Sequence, residues 1–254
     1  MRNLIAKIRF SAVILSMSII VLAVLIIYPF SKILVRQTVR KLWTRCLIAS
    51  TGAKLIYQGH KLNPIDLANS MIVANHISWL DTVLMYRVCF LQFVGKIEML
   101  KWPILSQVIK AGGTIFINRK NKKELLTVNQ QVANLLTKGA TVGLFPEGKT
   151  SDGQSILDFK APLLEAALLA KSKIYPVVLC YQKENRQIAH EVSFANVGWL
   201  TTVMNTLKLT ELNITVTVLD PVSTEQFTNR EQLAHYLHQQ ISNHYLQLTQ
   251  RSSC

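Results

Sequence analysis

Half of the 254 residues are apolar and only 17% are charged, which excludes a disordered chain, because that needs low hydrophobicity and dense charge. The length suits one ordinary domain, or two small ones, with ample chain to bury a core. Twenty-eight Lys and Arg against 14 Asp and Glu give +14, which favours anionic partners: a phospholipid surface, nucleic acid or a phosphorylated ligand. The charge is unevenly placed. Residues 1–60 hold nine Lys and Arg and no acid, and the first acidic side chain is Asp66.

Chain order begins with 21 uncharged residues, Phe10–Phe30, between Arg9 and Lys32. A helix of that length, at about 1.5 Å per residue, covers a hydrocarbon core of roughly 30 Å. Arg2, Lys7 and Arg9 also suit a signal peptide, but the apolar run is long and the bulky Tyr28-Pro29-Phe30 offers no small-residue cleavage site, so a retained anchor is expected. Pro29 separates it from a second helical pattern, in which Val35, Val39, Leu42, Trp43, Cys46 and Leu47 form a stripe with Arg40, Lys41 and Arg45 off it. A basic amphipathic helix with a Trp reads as lying on anionic headgroups; the plainer alternative is a surface helix packed on the core. Basic residues on both flanks give a slight vote for a cytoplasmic C-terminal side. These segments set an expected division into an attachment region, residues 1–48, and a second unit, residues 49–254.

Beyond residue 55, short apolar runs alternate with amphipathic helices, which predicts an α/β fold: a central, mostly parallel or mixed sheet flanked by helices. Strands are expected at Met71–Ala74, Leu91–Val94, Thr114–Ile117, Thr141–Phe145, Ile174–Cys180 and Ile214–Leu219. Helices are expected at Asp81–Val88, Leu100–Ala111, Lys123–Lys138, Pro162–Lys171 and Thr228–Leu248, the last opened by a Thr228…Glu231 capping box. Cys46, Cys89, Cys180 and Cys254 are scattered without a CxxC pair; Cys89 and Cys180 sit in apolar runs and read as small buried hydrophobes.

Three strands run into unusual polar strings. Met71–Ala74 leads into Asn75-His76-Ile77-Ser78-Trp79-Leu80-Asp81, Thr114–Ile117 into Asn118-Arg119-Lys120, and Thr141–Phe145 into Pro146-Glu147-Gly148-Lys149-Thr150-Ser151-Asp152-Gly153. In open α/β sheets the strand C-termini share one ligand-binding crevice, so His76, Asp81, Arg119, Glu147 and Gly148 are expected to converge. Each has a plainer reading alone. Ser78-x-x-Asp81 fits a capping box, His76 a hydrogen-bonded structural histidine, Arg119 a solvated basic loop, and Pro146-Glu147-Gly148 a turn. His235, His238 and His244 share the last helix, but their i, i+3, i+9 spacing does not suit a helical metal site, and no metal is expected. Nucleic acid is not expected either, because the basic excess lies beside the apolar 21-mer and no aromatic-basic reading surface stands out.

At these residues the sequence resembles the glycerolipid acyltransferases, the 1-acyl-glycerol-3-phosphate (lysophosphatidate) acyltransferases and their relatives. Asn75, His76 and Asp81 match an Asn-His-x4-Asp block; Phe116-Ile117-Asn118-Arg119 match an apolar strand ending in acidic-Arg, with Asn118 in the acid's place. Phe145-Pro146-Glu147-Gly148 match Phe-Pro-Glu-Gly, although Lys149-Thr150-Ser151 depart from the usual Thr-Arg-Ser, and Tyr175-Pro176-Val177-Val178 match the block around Pro. Phe159-Lys160 stands where the family often carries Phe-Lys. The resemblance covers roughly residues 70–180. It implies O-acyl transfer from an acyl thioester, acyl-CoA or acyl carrier protein, to a lysolipid hydroxyl, with no further cofactor. His76 is implied as general base and Asp81 as its orienting acid, while Arg119, Glu147, Gly148, Lys149 and Lys160 are implied to hold the acceptor. Lysophosphatidate is the leading acceptor and a lyso-ornithine lipid the alternative; a non-catalytic lipid-binding protein is the reading from another class. The expected location is the inner (cytoplasmic) membrane, with the folded unit on the cytoplasmic side and an anionic lipid surface as partner.

Overall fold

A computed structural model describes residues 2–63, 66–89, 91–101, 106, 110, 113–117, 122–195 and 197–250. In chain order the helices are α1 (Arg2–Leu22), α2 (Ile33–Thr51), α3 (Asp81–Val88), α4 (Lys122–Thr137), α5 (Glu165–Leu169), α6 (Trp199–Lys208) and α7 (Arg230–Gln250). The strands are β1 (Lys54–Gly59), β2 (Ser70–Ala74), β3 (Gln92–Lys96), β4 (Ile115–Ile117), β5 (Thr141–Leu144), β6 (Lys173–Gln182), β7 (Asn213–Val218) and β8 (Val222–Ser223). They form one mixed sheet in the order β1-β7-β6-β2-β5-β3-β4, with β8 paired to β6. The run from β6 to β4 is parallel; β7 and β8 lie antiparallel to β6, and β1 is parallel to β7.

Central position explains the apolar runs. Every residue of β2 and β5 is buried, as strands covered on both faces require. Because β2, β5 and β6 run parallel and in register, Ala74, Leu144 and Val177 reach the same edge of the sheet. That edge carries the loops containing His76 and Glu147. The expected helix Leu100–Ala111 falls almost wholly outside the described residues, where Leu100 and Lys101 end a 3₁₀ turn, Ile97–Lys101. Asn118, Arg119, Lys120 and Cys254 also lie outside them. Cys89 and Cys180 are free and buried, and burial pushes both thiols up to about 12.

The last helix starts differently from expectation. Asn229 caps it, accepting from the Gln232 amide at 2.9 Å, and the Gln232 side chain reaches back to the Thr228 hydroxyl at 2.8 Å. The capping pattern is therefore shifted by one residue from Thr228…Glu231, because the carboxamide of Asn229 is the acceptor placed at the first free amides.

The N-terminal segment continues beyond α1 as a π turn, Ala23–Ile27, and a 3₁₀ turn, Tyr28–Phe30. Tyr28 and Arg36 then lock the bend: the Arg36 guanidinium donates to the Tyr28 carbonyl at 2.8 Å, and the Tyr28 hydroxyl to the Arg36 carbonyl at 3.2 Å. α1 and α2 pack as a hairpin, α1 also lies on α6, and α2 lies on α3. Ala6, Val13, Leu47 and Ile48 belong to the main core. Arg9 donates to the carbonyls of Leu207 (3.2 Å) and Leu209 (2.5 Å), supplying a cation where the α6 carbonyls end. The buried face of α2 differs from the sequence stripe. Arg40, expected on the polar face, is buried with its guanidinium 4.6 Å from the Tyr86 ring centroid, a geometry that offsets its desolvation. Leu34, Val35 and Leu42 point outward instead.

Candidate active site

The site is assembled where β2 and β5 end. Asn75 leaves β2 and is fully buried, yet its carboxamide is satisfied: it donates to the Leu179 carbonyl at 2.9 Å and accepts from the Leu179 amide at 2.8 Å. This two-way clamp extends the β2–β6 pairing by one side chain and fixes where His76 emerges. His76 keeps about one-fifth of its side chain exposed, while Asp81 is fully buried.

Asp81 opens α3. Its Oδ2 accepts from His76 Nδ1 at 2.7 Å and from the amides of Ile77 (2.6 Å) and Ser78 (2.8 Å). Its Oδ1 accepts from the buried Tyr181 hydroxyl. A carboxylate has only acceptors to offer, so His76 carries its proton on Nδ1, and Nε2 keeps its lone pair. The plainer reading of Ser78-x-x-Asp81 coexists with this one. The Ser78 hydroxyl accepts from the Leu80 amide at 3.3 Å while Asp81 reaches back to the Ser78 amide, so one carboxylate both caps α3 and orients an imidazole. Ser78 itself is fully buried.

Glu147, in the loop after β5, is also buried; its oxygens accept from the His76 amide (2.6 Å) and the Leu157 amide (3.0 Å). Burial pushes its carboxyl up to about 7, against the pull of those two amides. The resemblance implies a role in holding the acceptor. In the structure both oxygens are engaged by backbone, and Glu147 ties the two loops together. Gly148 closes a turn back to the Phe145 carbonyl at 3.1 Å with φ +72°, a left-handed conformation that glycine adopts without strain. Ser151 donates its amide to the His76 carbonyl at 2.8 Å, and the Lys160 amide bonds the Pro146 carbonyl at 2.9 Å. The side chains of Lys149 and Lys160 are exposed. Arg119 lies outside the described residues.

Phe145, from the Phe-Pro-Glu-Gly block, gains a second use at the imidazole, and Phe194, Ser193, Tyr245 and Tyr181 join the site without a motif. Phe145 stacks on His76 (centroids 4.4 Å apart, 16° between planes), and Phe194 meets its edge at 6.2 Å. The Ser193 hydroxyl donates to the Ser151 carbonyl at 2.7 Å, and the Tyr245 hydroxyl to the Gly153 carbonyl. Tyr181 sits one residue beyond an expected strand. Strand alternation puts it on the same face as Leu179, the residue that Asn75 clamps, and that was the only signal available.

Together these groups present an imidazole with a free basic nitrogen, a fixed tautomer and a partly open face, which is the equipment for taking a proton from a hydroxyl. Comparison with known proteins agrees with the geometry. Residues 56–180 match the family model described as Acyltransferase. The 1-acyl-sn-glycerol-3-phosphate acyltransferase of Neisseria gonorrhoeae is 36% identical over 146 residues, 58% of this chain and 57% of that protein. The matched stretch thus spans little more than half the length of that relative. A lyso-ornithine lipid O-acyltransferase of Pseudomonas aeruginosa is 28% identical over 202 residues, covering 80% of this chain and 78% of that protein. In fold, the chain is similar to the crystal structure of the 1-acyl-sn-glycerophosphate (LPA) acyltransferase PlsC from Thermotoga maritima, with TM-score 0.69 at 19% identity, over 96% of this chain and 97% of that one. The sheet, the His76–Asp81 pair at its edge and the family match agree: residues 56–180 of this chain form a domain of the acyltransferase family.

Proposed function

We propose that this protein transfers a fatty acyl group from an acyl thioester, acyl-CoA or acyl carrier protein, to the free hydroxyl of a lysolipid. His76 is the general base. Its Nε2 takes the proton as the hydroxyl oxygen attacks the thioester carbonyl; the tetrahedral intermediate then expels the thiolate, which recovers that proton, giving an ester and a free thiol. Asp81 holds the tautomer and stabilises the imidazolium. No cofactor beyond the donor is needed, because the acceptor supplies the nucleophile. Ser78 does not serve as one, being fully buried with its hydroxyl engaged by the Leu80 amide.

The observation that carries this reading is the 2.7 Å His76–Asp81 contact in a domain of the acyltransferase family. The favoured acceptor is lysophosphatidate, giving phosphatidic acid, with Arg119, Gly148, Lys149 and Lys160 as its anionic-headgroup partners and Glu147 as organiser of that loop. A lyso-ornithine lipid is the second reading, favoured by the longer similarity to the Pseudomonas protein. Residues 1–48 supply attachment to an anionic membrane, with residues 49–254 on its cytoplasmic side. The apolar segment Arg2–Phe30 is long enough to cross a bilayer; its most apolar 18-residue stretch has a mean hydropathy of 2.9 and is 28% buried. The test is incubation of the full-length protein with labelled acyl thioesters and a lysolipid panel. Acylation of lysophosphatidate with Arg119→Ala lowering kcat/KM by roughly 10–100-fold supports the first reading. Brisk acylation of lyso-ornithine lipid alone moves the assignment to the second.

A further inference from the structure

We infer that Tyr181 is a positioning residue of the proposed reaction: its buried hydroxyl, donated to Asp81, fixes the charge and orientation of Asp81 and through it the basicity of His76. The inference rests on the proposed role of His76 as base and extends it to a residue just beyond the matched stretch 56–180.

The geometry is a directed chain. Tyr181 donates to Asp81 Oδ1, and Asp81 Oδ2 accepts from His76 Nδ1. Tyr181 is buried, so no water substitutes for its hydroxyl. Burial and the neighbouring Asp81 charge hold the phenol well above its ordinary range, so it remains a donor at every working pH. The two amides of Ile77 and Ser78 and the imidazole all converge on Oδ2. Tyr181 donates to Oδ1 from the opposite side. Without it, half of a buried carboxylate loses its donor, which is costly in a low dielectric.

The sign follows from competition at one carboxylate. A donor on Oδ1 draws negative charge away from Oδ2, and it does so most strongly while His76 is neutral. Tyr181 therefore favours the neutral, basic imidazole over the imidazolium. The other titratable groups around this cluster are Glu147, Cys180, Tyr245 and Asp152. Cys180 and Tyr245 remain protonated across the neutral range, because burial pushes both upward. Glu147 titrates near 7 but bonds the His76 backbone, not its ring, so a Tyr181 substitution leaves its partners in place.

The experiment uses the full-length protein in detergent micelles. In Tyr181→Phe, which keeps the ring and removes the hydroxyl, the acid limb of the kcat/KM profile moves to higher pH by about half to one unit. Activity at alkaline pH stays within a few-fold of wild type, and KM for the acceptor is unchanged. A merely structural role lowers kcat/KM by one factor at all pH values and leaves the limb where it was, and that result overturns the inference. Replacement of Tyr181 by 3-fluorotyrosine, which keeps the hydroxyl and makes it a stronger donor, provides the second variant should Tyr181→Phe fold poorly; it moves the limb to lower pH, and an unmoved limb there counts against the inference. In ¹⁵N-histidine-labelled protein without substrate, the His76 resonances titrate at higher pH in Tyr181→Phe than in wild type. That arm decides the inference even if no lysolipid is acylated, so the two failures are distinguishable.

Discussion

The loops at the sheet edge and the N-terminal hairpin handle side chains in opposite ways. Around His76, carboxyl groups have been taken out of water and hydrogen-bonded within the fold: Asp81 accepts four hydrogen bonds and Glu147 two. Along the hairpin, apolar surface has been left in the open: Leu4, Ile8, Leu15, Ile19, Leu22, Leu25 and Ile26 are all exposed, beside a buried face that joins α1 to the core. Magnitude shows what the second arrangement requires. Fully burying one Leu or Ile side chain is worth about 1.5–3 kcal/mol, so covering these seven half-exposed residues yields an amount comparable to a typical domain's whole stability of roughly 5–15 kcal/mol. The sheet edge is complete within the fold, whereas the hairpin acquires its favourable surroundings only from an apolar phase. A bilayer is the phase we propose.

The sharpest test of the sheet edge is its one partly open member. His76→Ala lowers acyl transfer by roughly 10²–10⁴-fold, the cost of a lost general base, while thermal unfolding changes little because His76 contributes a partly exposed ring. Asp81→Asn shares the activity loss but also unfolds more readily, since an amide group in place of one oxygen faces donors where an acceptor is needed. A His76→Ala protein that is folded and still turns over near wild-type rate breaks the proposed chemistry.

The matching test of the hairpin is Leu15→Glu combined with Ile19→Glu. Both side chains are exposed on α1, so the core packing of Ala6 and Val13 is untouched. A carboxylate deep in a bilayer costs up to about 3 kcal/mol, so the pair weakens vesicle partitioning by up to roughly four orders of magnitude, measured by flotation. Activity in detergent micelles is retained. Unchanged flotation removes α1 from the membrane face. Deleting residues 10–30 is a poorer test, because it also removes Val13 from the core.

Glu147 supplies a test that does not depend on substrate. Its folded-state carboxyl titrates at about 7 against an ordinary 4.5, so between those values the folded protein binds a proton that the unfolded chain has released. Stability therefore falls as pH rises from about 4.5 to about 7, by up to about 3 kcal/mol. Urea unfolding at intervals across this window measures the slope, and Glu147→Gln flattens it. A slope of the opposite sign in the wild type contradicts the desolvation of Glu147.

These contrasts also explain which parts were legible in sequence. β2, β5 and β6 announced themselves because a strand covered on both faces is a continuous apolar run, and the polar strings His76–Asp81 and Glu147–Asp152 stood out at their ends. β1 gave no such signal: it is an edge strand whose residues other than Leu55 are all exposed. α6 was missed because Thr202 and Thr206 read as polar or strand-forming. In the helix both are buried, and their hydroxyls are satisfied by carbonyls one turn back, Gly198 at 3.3 Å and Thr202 at 2.9 Å. Arg40 was misplaced for a related reason, since its burial depends on an aromatic face, that of Tyr86, supplied by a different helix. The His76–Asp81 pair is local, five residues apart, and visible as spacing. Its supports, Tyr181 and Leu179, come from a distant strand that only the folded sheet brings near.

Tyr245 gives the smallest effect and the finest division between building a site and performing its chemistry. It lies on α7, well beyond the family match, and its hydroxyl donates to the Gly153 carbonyl, pinning the far end of the loop that Glu147 pins at the near end. Tyr245→Phe keeps the buried ring in the core and removes that one bond. The expected cost is about 1 kcal/mol of stability, the net worth of a typical hydrogen bond, read as a small drop in the urea midpoint. The loop carrying Gly148 and Lys149 then samples more positions, so KM for the lysolipid rises two- to five-fold, on the order of 0.4–1 kcal/mol, while kcat stays near wild type because the His76–Asp81–Tyr181 chain is intact. A fall in kcat with KM unchanged contradicts this assignment, because it makes the Tyr245 anchor part of what holds His76 rather than of what holds the acceptor's loop.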